Sequence, residues 1–264
     1  MSLAPRRISA RDNPLLVRLR KLLQHPTAYR KLGQVWVEGE HLCAAALGRG
    51  VAVPLAIATP AAFASAALAP LLAAAQEVVE LPESLFGALS PLPSPAGIGY
   101  VLPLPAMPAL DPLAATVVLD GLQDAGNVGS VLRSSSAMGV KQVIALAGTA
   151  ALWSPKVMRA GMGAHFNLRL LDAVAPDALA ALQLPLVATS SHAPALLLDA
   201  ELPMPCAWVF GHEGQGVSPG VLARCHITVA IPQPGGEESL NVAAAAAICL
   251  YEAARRRQYI SRSG

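Results

Sequence analysis

Six short strand-like stretches, the first of them β-branched, recur through the second half of this chain, near residues 115–119, 142–146, 167–171, 185–189, 206–210 and 227–231, with helical patterns between them. Strands alternating with helices predict a mostly parallel sheet covered on both faces. In open sheets of that kind, ligands gather beyond the carboxyl ends of the strands. The loops that follow the strands are therefore where function is to be sought, and three of them carry chemistry.

The first is DGLQDAGNVGSVLRSSSAMG, residues 120–139, where the strand ATVVL runs through amides and glycines into a helix that places Val128, Val131, Leu132 and Ser135 on one side. A strand entering a helix N-terminus offers free backbone N–H groups to a ligand, although an ordinary βα turn reads much the same way. Asn127 supplies amide donors and an acceptor. Arg133, nearly two turns on, suits either a phosphate or a surface ion pair.

The second loop, GHEGQG at 211–216, follows the strand CAWVF. Its glycines permit positive φ and close backbone approach around a lone carboxylate, Glu213; His212 reads as incidental. It is neither a Walker loop nor GxGxxG, and a carboxylate there repels phosphate but suits a cationic or hydroxyl-bearing ligand. The third loop, PQPGGEESLN at 232–241, opens a helix to about Arg257 that Ser239 or Asn241 can cap. Val242 to Leu250 is apolar all round, which predicts a fully buried helix, and the basic run Arg255 to Arg257 predicts a return to the surface.

Much of the apolar half of the composition (54%) is alanine, and its most apolar stretches are broken by Pro54, Pro60, Pro70 and Pro103, so no membrane span is expected. Arg6, Arg7 and Arg11 have no apolar h-region behind them, and a soluble, cytoplasmic protein is the expectation. Cys43, Cys206, Cys225 and Cys249 form no CxxC and have no nearby CxxH, so neither zinc nor a disulfide framework is expected, and they read as small buried hydrophobes. The net charge of +2 conceals an asymmetry: residues 1–31 hold eight Lys or Arg against one Asp, +7 in all, leaving −5 for the remainder. That is the pattern of a basic arm for a polyanion, with nucleic acid foremost, or of a solvated helix face.

In the first half, Asp12-Asn13-Pro14 predicts a helix start, with Leu15, Leu16, Leu19, Leu22 and Leu23 on one face and Arg18, Arg20 and Lys21 on others. Strands are expected near Val35–Val37, 51–58, 77–81 and 97–102. Helices are expected over 39–47, 61–75 and 83–89, which together make a small α/β domain. LPLPAMPALDPL has four prolines in twelve residues and no periodicity, and predicts a stiff linker. The expected division is 1–104, a linker over 105–112, and 113–264.

In order and spacing, the three loops resemble the sequence motifs of the SpoU-type (TrmH-type) RNA 2′-O-ribose methyltransferases of the SPOUT superfamily. Asn127, Gly129 and Arg133 fit the first motif; Gly211, Glu213, Gly214 and Gly216 the second; Ile231, Pro232, Ser239, Leu240, Asn241 and Val242 the third. The similarity spans roughly 112–258 and includes SPKVMRAGMGAHF (154–166), with Gly161 where a serine is frequent. NPLLVRLRKLL, VWVEGEHL and SPAGIGYV are similar to the small substrate-binding domain of these enzymes, which resembles ribosomal protein L30e.

The resemblance implies a parallel sheet with helices on both faces and a deep trefoil knot in the C-terminal part, and a homodimer formed through that part. It implies S-adenosylmethionine as cofactor, with no metal. Thr189, Ser190, Gly211, Gly216, Ile231 and Leu240 are then the expected cofactor-binding residues. Asn127, Arg133, Glu213, Ser239 and Asn241 are the expected catalytic constellation. The RNA, ribosomal in preference to transfer RNA, falls to Arg6, Arg7, Arg11, Arg18 and Lys21.

A guanidinium is almost always protonated, so Arg133 is expected to hold a phosphate and stabilise developing alkoxide, with Asn127 and Asn241 positioning loops and ribose and Glu213 orienting Arg133 or Asn127. The rival readings are a catalytically silent RNA-binding protein with the same fold and a base-modifying SPOUT enzyme. A dehydrogenase is disfavoured by the missing GxGxxG.

Overall fold

The computed structural model describes residues 5–235 and 239–262. Two compact units are present, Met1–Ala106 with Trp153–Phe166, and Met107–Leu152 with Asn167–Gly264. The segment 153–166 thus clusters with the N-terminal residues, although it lies within the sequence range of the expected C-terminal domain.

The first unit is built on β1 (Arg6–Arg7), α1 (Pro14–Gln24), α2 (Ala28–Leu32), β2 (Gln34–Glu38), α3 (Glu40–Gly48), β3 (Val53–Ala58), α4 (Pro60–Ala64), α5 (Ala69–Ala73), β4 (Ala75–Glu80), α6 (Glu83–Leu89) and β5 (Ile98–Pro103). Its sheet runs β1-β4-β3-β5-β2, parallel from β1 to β3 and antiparallel through β5. Asn13 caps α1 by accepting from the Leu15 N–H at 2.9 Å, and Leu15, Leu16, Leu19 and Leu22 are buried as their spacing predicts. The single helix expected over 61–75 is two short ones. α4 ends at Ala64 with Ser65 as its C-cap, and Pro70 sits in the first turn of α5, where its missing N–H does no harm. Gly99 on β5 faces Trp36, whose ring would lie 2.3 Å from any Cβ, so only glycine fits.

The second unit opens with β6 (Thr116–Asp120), α7 (Ala125–Ala137) and β7 (Gln142–Leu146). The chain then passes through α8 (Pro155–Gly161), within the segment that clusters with the first unit, and returns to β8 (Arg169–Val174), β9 (Leu186–Thr189), β10 (Ala195–Leu196), β11 (Ala207–Gly211), α9 (Pro219–Leu222), β12 (Ile227–Ala230) and α10 (Val242–Arg262). The sheet is parallel throughout, in the order β10-β12-β9-β11-β6-β7-β8.

One face buries Val118, Ile144, Ala188 and Val209 under Leu179 of a 3-10 turn (Pro176–Ala181), Val221 of α9 and the half-buried Leu110. Side chains alternate along a strand, so Trp208 and Phe210 point to the other face, where α10 packs against α7 and β11. Substantial helices therefore cover one face, and short turns cover the other.

Two further expectations are corrected. α10 is not buried all round: Ala246, Cys249, Leu250 and Ala253 are buried, while Ile248 (41%) and Tyr251 (60%) are exposed. The predicted linker is in part fastened to the second sheet. The Ala109 carbonyl accepts from Arg169 (2.7 Å), the Asp111 backbone bonds the buried Gln142 amide in both directions (2.8 and 3.1 Å), and Pro112 O accepts from Gln183 N (3.0 Å). Cys43, Cys206 and Cys249 are buried and Cys225 is half-buried, all free; burial pushes the Cys206 thiol up to about 11 and Cys249 to about 12, as suits packing groups. Among the described residues no helix is long and apolar enough to cross a membrane.

Candidate functional site

Four neighbouring strands, β12, β9, β11 and β6, run parallel, so their carboxyl ends open on one edge of the sheet. Ala230, Thr189, Gly211 and Asp120 terminate them, and Gly211 pairs in register with Asp120. This brings the three motif loops and the 189–190 strand end to one place.

The glycine loop folds back on its own strand. His212 and Gly216 exchange backbone hydrogen bonds at 2.9 and 2.8 Å, with Gly216 at φ +70°, and the Gly214 N–H donates to His212 Nδ1 at 3.0 Å. A Cβ on Gly211 would lie 2.1 Å from Gly216 C and Val217 N, so the backbone that needs Gly211 to be glycine is the loop's own. His212 therefore has a structural part in the loop. The Ser218 N–H donates to Asp120 Oδ2 at 2.7 Å, anchoring the far end of the loop on β6.

At the loop tip Glu213 joins all three motifs. Its Oε1 accepts from Asn127 Nδ2 (3.1 Å) and, more distantly, from Asp124 N (3.4 Å), while Oε2 accepts from Gln123 N (3.4 Å). Asn127 Oδ1 accepts from Asn241 Nδ2 at 2.9 Å, and Asn241 Oδ1 caps α10 by accepting from Ala243 N (2.9 Å) and Ala244 N (3.3 Å). An ionised carboxylate only accepts, so Glu213 dictates the orientation of the Asn127 amide. That in turn dictates the Asn241 amide, and the helix cap follows. Partial desolvation pushes the Glu213 carboxyl up, but the hydrogen bonds from the Asn127 side chain and from the backbone N–H groups of Glu213, Gln123 and Asp124 outweigh it and hold it below the usual carboxylate value.

Arg133 is exposed on α7, without a hydrogen bond or ion pair among the described residues. Of the two partners expected for Glu213, then, it is Asn127 that the chain itself supplies. Ser239 is exposed and does not share the cap, which belongs to Asn241. Leu240 is 39% exposed and Ile231 half-buried; residues 236–238 of that loop lie outside the described residues. The Ser190 N–H donates to Val229 O (3.1 Å), and its hydroxyl accepts from His192 N (3.2 Å).

Sequence reasoning missed three residues at this edge. Asp120 anchors the glycine loop, and Asp124 caps α7 by accepting from the Asn127 N–H at 2.7 Å. Gln233 buries its Oε1 with no partner among the described residues. An acid closing an apolar strand, and another at an N-cap spacing before Asn127, are signals that could have found the first two.

In the first unit Arg11, Arg18 and Lys21 are exposed, with Arg20 donating to the Arg11 carbonyl at 2.6 Å. Arg6 and Arg7 are instead ion-paired, with Glu77 (2.8 Å) and Glu80 (3.0 Å). The Arg6–Glu77 pair is exposed on both sides and worth about 1 kcal/mol or less, and Arg7 is itself exposed although Glu80 is not, so neither pairing bars exchange for another anion.

Residues 114–251 match the model of the SpoU rRNA Methylase family. Over 97% of its length the chain is 33% identical to an uncharacterized tRNA/rRNA methyltransferase of Synechocystis, 96% of which is covered. Among solved structures it is similar to an RNA 2′-O ribose methyltransferase (33% identity, TM-score 0.80, covering 96% of this chain and 99% of that one). It is also similar to the SpoU methyltransferase AviRb from Streptomyces viridochromogenes in complex with the cofactor AdoMet (26% identity, TM-score 0.85, covering 93% and 98%). With three separate motif loops joined through Glu213, Asn127 and Asn241, and the family model matched across more than half its length, this chain belongs to the SpoU rRNA methylase family.

Proposed function

We propose that the protein is an S-adenosylmethionine-dependent RNA methyltransferase that modifies a ribose 2′-hydroxyl. The observation that carries this is the hydrogen-bonded chain Glu213–Asn127–Asn241, which unites the three motif loops beside adjacent strand ends. The residues fit the cofactor: the orphaned Gln233 Oε1 is a buried acceptor suited to an amine or hydroxyl, and Thr189, Gly211 and Ile231 present backbone groups at neighbouring strand ends. When bound, S-adenosylmethionine supplies a sulfonium methyl already activated for transfer. The chain's part is to orient the hydroxyl and assist loss of its proton. Ser190, Gly216 and Leu240 complete the proposed cofactor set.

Arg133, exposed and without a partner among the described residues, is read as the group that holds an RNA phosphate and stabilises developing alkoxide. Asn127 and Asn241 engage each other through their side chains, which supports a loop-positioning role for both. Ser239 stands exposed beside them for the substrate. Ribosomal RNA is favoured as substrate, with Arg11, Arg18 and Lys21 of an L30e-like domain over 1–104 as phosphate contacts, joined by Arg6 and Arg7 on exchange of their ion pairs.

A deep trefoil knot in the C-terminal domain is supported by the sheet order, in which β11 returns between β9 and β6 after β10 has left for the far edge. The exposed apolar Leu240, Ile248 and Tyr251 support a homodimer through the same domain. A cytoplasmic location accords with an RNA substrate.

Titration calorimetry with S-adenosylmethionine and transfer of labelled methyl to ribosomal RNA test the proposal. Arg133→Ala and Asn127→Ala are expected to lose at least about 100-fold in turnover with folding intact, a loss of transition-state stabilisation of ~2.7 kcal/mol. Near-normal turnover in both would sink the site assignment, and failure of the wild type to bind the cofactor would favour a silent RNA-binding protein.

A further inference from the structure

The C-terminal half of α10 carries an ion cluster around a buried carboxylate that lies outside the motifs. Glu252, 6% exposed, accepts from Arg255 Nε and Nη2, both at 2.8 Å, and from Arg256 Nε at 2.7 Å. The remaining donors of Arg256 reach three backbone carbonyls, Ala200 O at 2.7 Å, Leu197 O at 2.8 Å and Leu198 O at 3.2 Å.

Those carbonyls belong to the end of a strap that leaves the sheet at Thr189 and runs along the edge of β12. At its start the Ser190 N–H donates to Val229 O, in its middle β10 pairs with Val229 and Ala230, and the Leu197 N–H donates to Ala230 O at 2.8 Å. Ile231 follows at once. The course of the loop 231–235 is therefore set on one side by β10, and the end of β10 is held by Arg256. The N-terminus of the same helix is tied through Asn241 to Asn127, so α10 spans from the motif network to the strap.

We propose that Arg256 is a positioning residue for cofactor binding, holding the strap 195–200 against β12 so that the Ser190 and Ile231 edges of the site keep their separation. Glu252 aims the guanidinium. Its planar fork serves a carboxylate and diverging carbonyls together, which a lysine ammonium on a flexible stem cannot. The inference rests on the reading of this sheet edge as the S-adenosylmethionine site.

The test uses full-length wild type, Arg256→Gln and Arg256→Lys in three measurements: calorimetric affinity for S-adenosylmethionine, hydrogen exchange of the peptide covering 190–200, and turnover at saturating cofactor. Arg256→Gln should weaken affinity about 10-fold, equivalent to ~1.4 kcal/mol. It should also speed exchange at Ser190 and Leu197 and leave saturated turnover within about 2-fold. Arg256→Lys should fall between the two. Wild-type affinity in Arg256→Gln overturns the proposal, whether the strap stays protected or exchanges freely, and so does a loss confined to turnover. If Arg256→Gln does not fold, Glu252→Gln, which weakens the anchor of the Arg256 guanidinium together with the Arg255 pair, must show the same pattern at smaller size or the proposal fails. Absence of binding in the wild type would refute the cofactor reading instead, and strap exchange in Arg256→Gln would still decide whether Arg256 is the clamp.

Discussion

Replacing Glu213 with alanine removes the acceptor that sets the direction of two asparagine amides. Its bond from Asn127 Nδ2 is 3.1 Å and charge-assisted, whereas the contacts from Gln123 N and Asp124 N, at 3.4 Å, are long and contribute little. A hydrogen bond to a charged group is worth roughly 1.5–3 kcal/mol, and at an exposed position water offers a substitute, so the lower end, about 1.5 kcal/mol, applies. If that sum is realised only in the transition state, kcat should fall about ten-fold.

Because Glu213 is held to act through Asn127, Glu213→Ala added to Asn127→Ala should cost little more than Asn127→Ala alone, a coupling of about 1.5 kcal/mol in a double-mutant cycle. Single-turnover methyl transfer at saturating cofactor measures all four corners. Glu213→Gln, which keeps an acceptor, should recover part of the loss. Additive effects of the two alanines would refute the reasoning and place Glu213 directly on the substrate. Acidity supplies a second check on the sign. The Glu213 carboxyl is lowered in the folded protein, so its contribution is complete above the ordinary carboxylate value and is lost as pH falls through the lowered one. Wild-type turnover should drop there while the alanine variant, already deprived, should not.

Gly211→Ala should destabilise the second unit by roughly 2–3 kcal/mol in urea unfolding, since its Cβ meets loop backbone at 2.1 Å and not a side chain that can swing away. Glu252 offers a pH test of stability. Its carboxyl is lowered from the ordinary 4.5 to about 2, chiefly by hydrogen bonds from Arg255, with partial desolvation opposing and Arg256 assisting. A shift of that size corresponds to about 3 kcal/mol, present above pH 4.5 and lost progressively toward pH 2. Urea midpoints should separate wild type from Glu252→Gln at pH 7 and converge near pH 2.

Much of the element order was legible because strands and helices write their period into neighbouring residues. ATVVL, CAWVF and the leucine face of α1 announce themselves within a few positions, as does the Asn13-Pro14 start. The 61–75 segment misled because alanine hides a break: every position favours helix, and only Ser65 and Pro70 mark the join. α10 misled for the opposite reason. Its alanines are apolar all round, but a single face meets the sheet, and the rest, including Ile248 and Tyr251, is left exposed.

The basic run 255–257 was expected to return to the surface, and Arg255 does, while Arg256 and Arg257 are half-buried and donate to backbone carbonyls 56 to 119 residues away. The glycines around Glu213 suggested room for a ligand, yet the backbone that approaches Gly211 is that of the loop itself.

Residue identity alone therefore determined which loops carry reactive groups and that they follow parallel strands, since both are properties of short windows. That Glu213 reaches Asn127 across 86 residues and Asn127 reaches Asn241 across 114 was decided only by the tertiary structure. Hydrogen bonds over such separations exist because β11 inserts next to β6 and α10 returns beside α7, and no local pattern encodes which strand becomes whose neighbour.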